Sequence, residues 1–173
     1  MHYGNIKNCD IANGAGVRVT LFVSGCRNHC PGCFQRETWD FSYGAPFDDA
    51  AREQIINMLA PDYIRGLTLL GGEPFEISNQ QALLPFVKRV RQIYPDKDIW
   101  AYSGFTLEEL LDDKARCHCP QTLPLLKLID VLVDGKFEAD KYDISLRFRG
   151  SSNQRIIDLP ATLKKGEVVP WNG

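Results

Sequence analysis

The sequence predicts a partial, open α/β barrel whose sheet is mostly parallel. Strand-like segments alternate with amphipathic helical segments along the 173 residues, which is typical of βαβ units. About four such units are visible, fewer than the eight of a closed barrel. No linker, internal repeat or low-complexity tract divides the chain, so we expect a single domain over residues 1–173.

The first elements follow from residue type and periodicity. GVRVTLFVSG (16–25) is rich in β-branched and aromatic residues and predicts the first strand of the parallel sheet. DDAAREQIINMLA (48–60) begins with acidic residues and repeats apolar residues at helical spacing, so it predicts a helix. LTLLGGEP (67–74) predicts a second strand that its glycines and proline bring to an end.

The remaining elements continue the alternation. NQQALLPFVKRVRQIY (79–94) has the apolar spacing of a helix, and DIWAYSG (98–104) reads as a third strand. TLEELLDD (106–113) starts with capping-box spacing and predicts another helix. TLPLLKLIDVLVDGKF (122–137) predicts a short helix followed by a fourth strand, Asp130 to Asp134.

Charge and composition exclude several classes of function. The 20 basic and 22 acidic residues are nearly balanced, so we expect no nucleic-acid partner. No apolar run approaches the ~18 residues of a membrane span, and the N-terminal stretch lacks the pattern of a secretion signal. We therefore expect a soluble protein of the cytoplasm without a membrane partner. In that compartment six cysteines favour metal binding or catalysis over disulfides.

Each unusual motif comes just after a predicted strand. The cysteines 26–33 follow the first strand, Gly71-Gly72-Glu73-Pro74 ends the second, and Tyr102-Ser103-Gly104 ends the third. Asp134-Gly135-Lys136 ends the fourth. Because ligands of parallel α/β sheets bind at the carboxyl ends of the strands, we expect these motifs to share one rim.

Three cysteines, Cys26, Cys30 and Cys33, stand within the stretch SGCRNHCPGCF. Their thiolates can bind an iron–sulfur cluster, or zinc if a fourth ligand is supplied. The candidate fourth ligands for zinc are His29, Cys9, Cys117, His118 and Cys119. The other interpretation is a [4Fe–4S] cluster with three cysteine ligands and one open iron, which makes the three cysteines an active site.

The same residues resemble a known superfamily. Cys-x3-Cys-x2-Cys after a first strand, with GGEP after the second, is similar to the radical S-adenosylmethionine (SAM) enzymes. CDIANGAGVRVTLFVSGCRNHCPGCFQRETW (9–39), DIWAYSGFTLEEL, LIDVLVDGKF and RFRGSSNQRIIDL resemble, more closely, the activating proteins of anaerobic (class III) ribonucleoside-triphosphate reductase. The resemblance covers about residues 4 to 160 and implies a partial barrel of the radical SAM type.

The resemblance implies SAM as a second cofactor, bound at the open iron. In the broader superfamily an aromatic residue usually precedes the third cysteine and packs near the adenine, whereas this chain has Gly32 there. Gly32 would let the backbone approach the base, and the adjacent Phe34 is a candidate to stack on it. Cys33 lies between these two residues.

Further SAM contacts are implied by the other motifs. Gly71 and Gly72 would let the backbone approach the methionine moiety, and Glu73 would accept a hydrogen bond from its ammonium group. The alternative for the two glycines is an ordinary turn at the end of a strand.

On the third and fourth strands, Ser103 and Gly104 are candidates for the ribose hydroxyls. Lys136 would pair with the methionine carboxylate, and Asp134 would bind a cation or the partner's backbone. The alternatives are a strand-to-helix turn for the first pair and a solvated ion pair for the second.

The implied reaction is reductive cleavage of SAM to methionine and a 5′-deoxyadenosyl radical, which takes a hydrogen atom from a glycine Cα. The implied partners are the anaerobic reductase, which then stores the glycyl radical, and an external electron donor such as flavodoxin. Two alternatives remain open: another small radical SAM enzyme, such as a different glycyl-radical activase, and a non-enzymatic zinc or iron–sulfur module.

Overall fold

A computed structural model describes residues 1–173 and contains one seven-stranded sheet. The strands, numbered along the chain, are β1 (His2–Asp10), β2 (Val17–Val23), β3 (Ala45–Pro46), β4 (Ile64–Gly71), β5 (Asp98–Tyr102), β6 (Val131–Asp134) and β7 (Arg155–Asp158). They lie in the order β3-β1-β2-β4-β5-β6-β7. Strands β2, β4, β5 and β6 are parallel, while the flanking strands pair antiparallel. The edge strands β3 and β7 do not pair with each other, so the expected partial, open α/β barrel is confirmed.

Five α-helices accompany the sheet. They are α1 (Asp49–Leu59), α2 (Ile77–Ile93), α3 (Leu107–Leu111), α4 (Thr122–Leu126) and α5 (Leu159–Lys165). The predicted capping box of α3 is present, since the Thr106 side chain accepts from Glu109 N–H and the Glu109 side chain accepts from Thr106 N–H. Short 3-10 helices occupy Arg36–Trp39 and Ala139–Lys141. No helix is both long enough and apolar enough to span a bilayer.

The two faces of the sheet have different surroundings because side chains alternate along each strand. Leu21 of β2 and Leu69 of β4 belong to a core cluster of 28 buried residues, to which the helices contribute. Thr20, Thr68 and Trp100 occupy neighbouring positions on β2, β4 and β5, and their side chains lie on the other face of the sheet. The opposite, concave face is therefore the one available for a ligand.

Toward the amino ends of the parallel strands, side chains of the protein itself fill the concave face. The Trp171 ring lies 4.8 Å from the Trp100 ring, and the Phe148 ring lies 5.3 Å from it, each at a steep angle. Arg18, which has no exposed surface, pairs with Asp98 at 2.6 Å on the same side. Toward the carboxyl ends of the parallel strands, this face opens into a cavity.

Candidate active site

A cavity of about 560 Å³ lies at the carboxyl ends of β2, β4 and β5. Residues from all four of the motifs singled out in the sequence line it together. They are Cys26, Cys30, Cys33, Phe34, Gly71, Gly72, Glu73, Tyr102, Ser103, Gly104 and Gly135. Parallel strands bring these motifs to one rim because their carboxyl ends point the same way.

The three thiols in this cavity are free, with Cys26 buried and Cys30 and Cys33 partly buried. Backbone N–H groups point at two of the sulfur atoms: Asn28 N–H donates to Cys26 Sγ and Gln35 N–H donates to Cys33 Sγ, both at 3.4 Å. Donors aimed at sulfur favour the thiolate, which is the form that binds metal.

Burial opposes ionisation of the same thiols. It raises the pKa of Cys26 to about 12 and also raises the pKa of Cys30. Both groups therefore keep their protons at neutral pH until a metal displaces them.

The donor set suits an iron–sulfur cluster, because soft thiolates are its protein ligands. No three His, Cys, Asp or Glu side chains of the chain converge closely enough to hold a single metal ion. Cysteine ligands of a four-iron cluster bind separate irons, so these thiols need not meet at one point.

Glu73 is the buried carboxylate that joins the motifs. Its side chain accepts hydrogen bonds from Phe75 N–H (2.9 Å), Ser103 Oγ (2.9 Å), Gly104 N–H (2.7 Å) and Asn28 Nδ2 (3.0 Å). Burial raises the pKa of Glu73 to about 7, while these hydrogen bonds act in the opposite direction. Glu73 thus holds the end of β5 and the cysteine loop against the end of β4.

The two glycines before Glu73 are required by the close approach of neighbouring chain segments. Gly71 has a φ of +108°, and a Cβ there would lie 2.7 Å from the backbone of Val23. A Cβ on Gly72 would lie 2.7 Å from the carbonyl oxygen of Gly25. Packing of β4 against β2 and the cysteine loop therefore already accounts for both glycines, although both also line the cavity.

The fourth motif reaches the cavity only through Gly135. Asp134 has no exposed surface, forms an ion pair with Arg155 and accepts a hydrogen bond from Leu107 N–H at 2.7 Å. Neither Asp134 nor Lys136 lines the cavity. Lys136 is exposed, but its charge is close enough to contribute a lowering of the Cys30 pKa against the larger effect of burial.

The residues on either side of Cys33 lie at the rim. Gly32 is exposed with a φ of +73° and does not line the cavity. Phe34 lines it but remains 67% exposed, with its ring 5.2 Å from Phe137 and 6.0 Å from Tyr142. These three aromatic rings form a cluster beside the cavity entrance.

Sequence reasoning placed Tyr102 at this rim but assigned no ligand contact to the residues that form the floor and the far wall of the cavity. Phe22 and Leu70 are paired across β2 and β4, and Tyr102 of β5 lines the cavity with them. The alternation of side chains along a strand predicts this placement, because these residues are one position away from core residues and therefore lie on the other face of the sheet. The far wall comes from Lys7, Ala12, Asn13, Leu146, Phe148, Arg149, Gly150 and Gln154.

Comparison with known proteins assigns the chain to a family. The family described as "4Fe-4S single cluster domain" matches residues 12–157. The anaerobic ribonucleoside-triphosphate reductase-activating protein of Pasteurella multocida is 49% identical over 158 residues, which cover 90% of this chain and 96% of that protein. Proteins of the same name from Escherichia coli K12 and phage T4 are 45% and 38% identical, over 90% of this chain and 97% and 93% of theirs. The chain belongs to this family of activating proteins.

Family membership confirms the resemblance drawn from the motifs. The range matched by the 4Fe-4S domain contains the three cysteines, Glu73 and the RFRGSSNQR segment, and therefore the greater part of the cavity lining. As a member of this family, the chain accordingly has an iron–sulfur cofactor.

Proposed function

We propose that the chain is a radical SAM activating enzyme, an oxidoreductase that generates the glycyl radical of anaerobic ribonucleoside-triphosphate reductase. The observation that carries the proposal is one cavity lined by three free thiols and a Gly-Gly-Glu turn. It occurs in a chain 49% identical to a protein named for activation of that reductase.

In this proposal Cys26, Cys30 and Cys33 hold three irons of a [4Fe–4S] cluster, and the fourth iron is open to the amino and carboxylate groups of SAM. When bound, the cluster would supply the electron that splits SAM into methionine and the 5′-deoxyadenosyl radical that abstracts the glycine hydrogen. The protein's contribution is to hold, orient and shield these groups.

Individual residues have distinct parts in that contribution. Glu73 keeps the cysteine loop in register with the ends of β4 and β5 through its four hydrogen bonds. Gly71, Gly72, Ser103 and Gly104 line the space for the methionine and ribose groups, and Phe34 lies at the rim beside the adenine. The apolar floor keeps water away from the reacting atoms.

The electron donor in this proposal is a separate cytoplasmic protein such as flavodoxin. Cys117 and Cys119 are buried and Cys9 is exposed on β1, so these cysteines do not form a second cluster site that could pass an electron within the chain. The electron would therefore come from an external donor. The reductase's glycine-bearing segment would enter the open side of the barrel.

Anaerobic reconstitution with iron and sulfide, followed by reduction with and without SAM, tests the proposal. We expect a brown protein, a change in the cluster's EPR spectrum on adding SAM, and 5′-deoxyadenosine as product. Replacement of Cys26, Cys30 or Cys33 by alanine should abolish all three signals, because each thiolate holds its own iron. Addition of the purified reductase should produce a glycyl-radical EPR signal.

The matched control is Cys9→Ala, which removes an exposed cysteine on β1 and should leave cluster and product unchanged. Bound zinc without SAM cleavage would contradict the proposal and favour a binding module. A full cluster in any of the three single variants would contradict the ligand assignment.

A further inference from the structure

The cavity contains one basic side chain without an acidic partner. Lys7 and Arg149 are the basic residues of its lining, and Lys7 Nζ pairs with Asp10 at 2.9 Å. Arg149 forms no ion pair, and its one hydrogen bond within the chain runs from Nη1 to the Gln154 carbonyl oxygen at 2.6 Å. Its Nε and Nη2 donors are free for a ligand. The acidic residue of the lining, Glu73, already accepts four hydrogen bonds.

Arg149 belongs to an ordered segment. The Gln154 side chain accepts from Gly150 N–H at 2.9 Å and Ser151 N–H at 3.2 Å, and it donates to the Gly135 carbonyl oxygen at 3.0 Å. These bonds fasten the segment to the turn that follows β6. A guanidinium presented from such a segment loses less freedom on binding than one on a mobile loop.

The segment also lies beside the cysteine loop. A Cβ on Gly150 would be 3.1 Å from the Phe137 ring and 3.7 Å from the Phe34 ring. Phe34 directly follows Cys33, so the segment that carries Arg149 packs against the end of the cysteine loop, and Arg149 lines the same cavity as the thiols.

We infer that Arg149 binds the carboxylate of the methionine moiety of SAM, an inference that rests on the proposed function. The free Nε–H and Nη2–H donors of Arg149 can bind the carboxylate oxygen that the open iron leaves free, in charge-assisted hydrogen bonds. The carboxylate is the one anionic group of SAM, whose sulfonium and ammonium are both cationic. An unpaired cation in a partly closed cavity is stabilised by such an anion.

Lys136 is the residue that the sequence analysis assigned to this carboxylate. It is exposed and does not line the cavity, whereas Arg149 does. The two assignments make different predictions for variants of each residue.

The test is equilibrium binding of two ligands, SAM and decarboxylated SAM, to the anaerobically reconstituted protein. Arg149→Gln should weaken SAM binding about ten- to a hundredfold, the range expected for hydrogen bonds to a charged group. It should leave the affinity for decarboxylated SAM unchanged. Arg149→Lys should retain part of the preference for SAM. The ratio of the two affinities within one variant does not depend on how much of that variant has folded.

Arg147→Gln is the matched control, because Arg147 stands in the same segment with its guanidinium 5.0 Å from the Phe148 ring and does not line the cavity. It should bind both ligands as the wild type does. An Arg149→Gln protein that loses both ligands equally, or neither, would overturn the inference. A selective loss of SAM in Lys136→Gln instead would assign the carboxylate to Lys136 and overturn it as well.

Failure of the proposed function has a different signature. A wild-type protein that carries its cluster yet binds neither ligand would overturn the proposed function, and this inference with it.

Discussion

Asp10 positions the cavity wall that comes from β1 and the loop after it. Its buried carboxylate accepts hydrogen bonds from Lys7 Nζ (2.9 Å), Ala12 N–H (3.1 Å), Asn13 Nδ2 (2.6 Å) and Thr20 Oγ1 (2.7 Å). Lys7, Ala12 and Asn13 all line the cavity, although Asp10 itself does not. A single residue below the surface thus decides where three lining residues lie.

The same hydrogen bonds make protein stability depend on Asp10 ionisation. Burial acts to raise its pKa, but the hydrogen bonds from Asn13, Lys7, Thr20 and Ala12 outweigh burial and lower it from 3.8 to about 2. The ionised carboxylate therefore stabilises the fold above about pH 4, and this stabilisation is lost as the pH falls through about 2. Asp10→Asn should lower the free energy of unfolding at pH 7 by about 2 kcal/mol. Its stability should also decline less than that of the wild type between about pH 4 and pH 2.

Urea unfolding of the cluster-free protein, followed by circular dichroism across that pH range, measures both effects. The exposed Asp113 makes no hydrogen bond through its side chain, so Asp113→Asn serves as the control and should behave as the wild type. Parallel pH profiles for Asp10→Asn and the wild type would contradict the prediction.

Among the secondary-structure elements, the start of α2 holds the cysteine loop through Glu76. The Glu76 side chain is 3% exposed and accepts from Arg27 N–H (2.9 Å), Arg27 Nη1 (2.8 Å) and Arg116 Nη1 (2.9 Å). Arg116, in the segment between α3 and α4, also donates to Asn28 Oδ1 at 2.6 Å. The start of α2 and the segment between α3 and α4 therefore both hold the loop that carries the thiols.

Removal of Arg116 should loosen this loop and leave the fold intact. Arg116→Ala deletes the link from Asn28 to Glu76 and the stacking of the Arg116 guanidinium over the Phe105 ring at 4.5 Å, while it removes no apolar side chain from the core. We expect the reconstituted variant to lose iron to a chelator about two- to tenfold faster than the wild type, in keeping with a partly exposed ion pair worth about 1 kcal/mol. Absorbance of the cluster during anaerobic chelation measures the rate.

Arg89→Ala is the matched control, because Arg89 of α2 pairs with Glu53 of α1, both side chains are exposed, and neither forms an ion pair with the cysteine loop. It should lose iron at the wild-type rate. Equal rates for both arginine variants would show that Glu76 holds the loop without Arg116.

For the molecule as a whole, the core and the cavity lie on opposite faces of one sheet. The cluster of 28 buried apolar residues contains Leu21, Leu69 and Cys117, and none of the three cavity cysteines. Burial of this core drives folding without a metal, in contrast to small domains that are unfolded until zinc binds. The fold therefore depends on this core, and the cysteine loop contributes the metal-binding site without being needed for folding.

Chelation of the cluster should accordingly leave the molecule folded. We expect the far-UV circular dichroism and the cooperativity of urea unfolding to survive removal of iron, since the core is independent of the loop. Cys117→Ala should do the reverse: it should keep the cluster but lower the free energy of unfolding by about 1 kcal/mol, because it opens space in the core. Loss of cooperative unfolding on chelation alone would contradict this separation.

The four parallel strands and the helices α1, α2, α3 and α4 were predictable because each is locally encoded by periodicity or capping. The antiparallel strands β1 and β7 were missed for a physical reason. β1 is mostly exposed or half-buried and contains no clean apolar alternation, and β7 has four residues, of which only Ile157 is buried. Strands of this kind form because a neighbouring strand offers hydrogen bonds, which no local pattern in the sequence reports.

By itself, the sequence determined the cysteine spacing, the Gly-Gly-Glu turn and the order of strands that brings both to one rim, because these depend on neighbouring residues and on chain direction. The tertiary structure alone decided their partners. Glu73 receives hydrogen bonds from Ser103 and Asn28, which are 30 and 45 positions away along the chain, and Arg149 enters the cavity from a segment still further on. Contacts of this kind arise only when packing of the core brings distant segments together, so no spacing within the sequence could specify them.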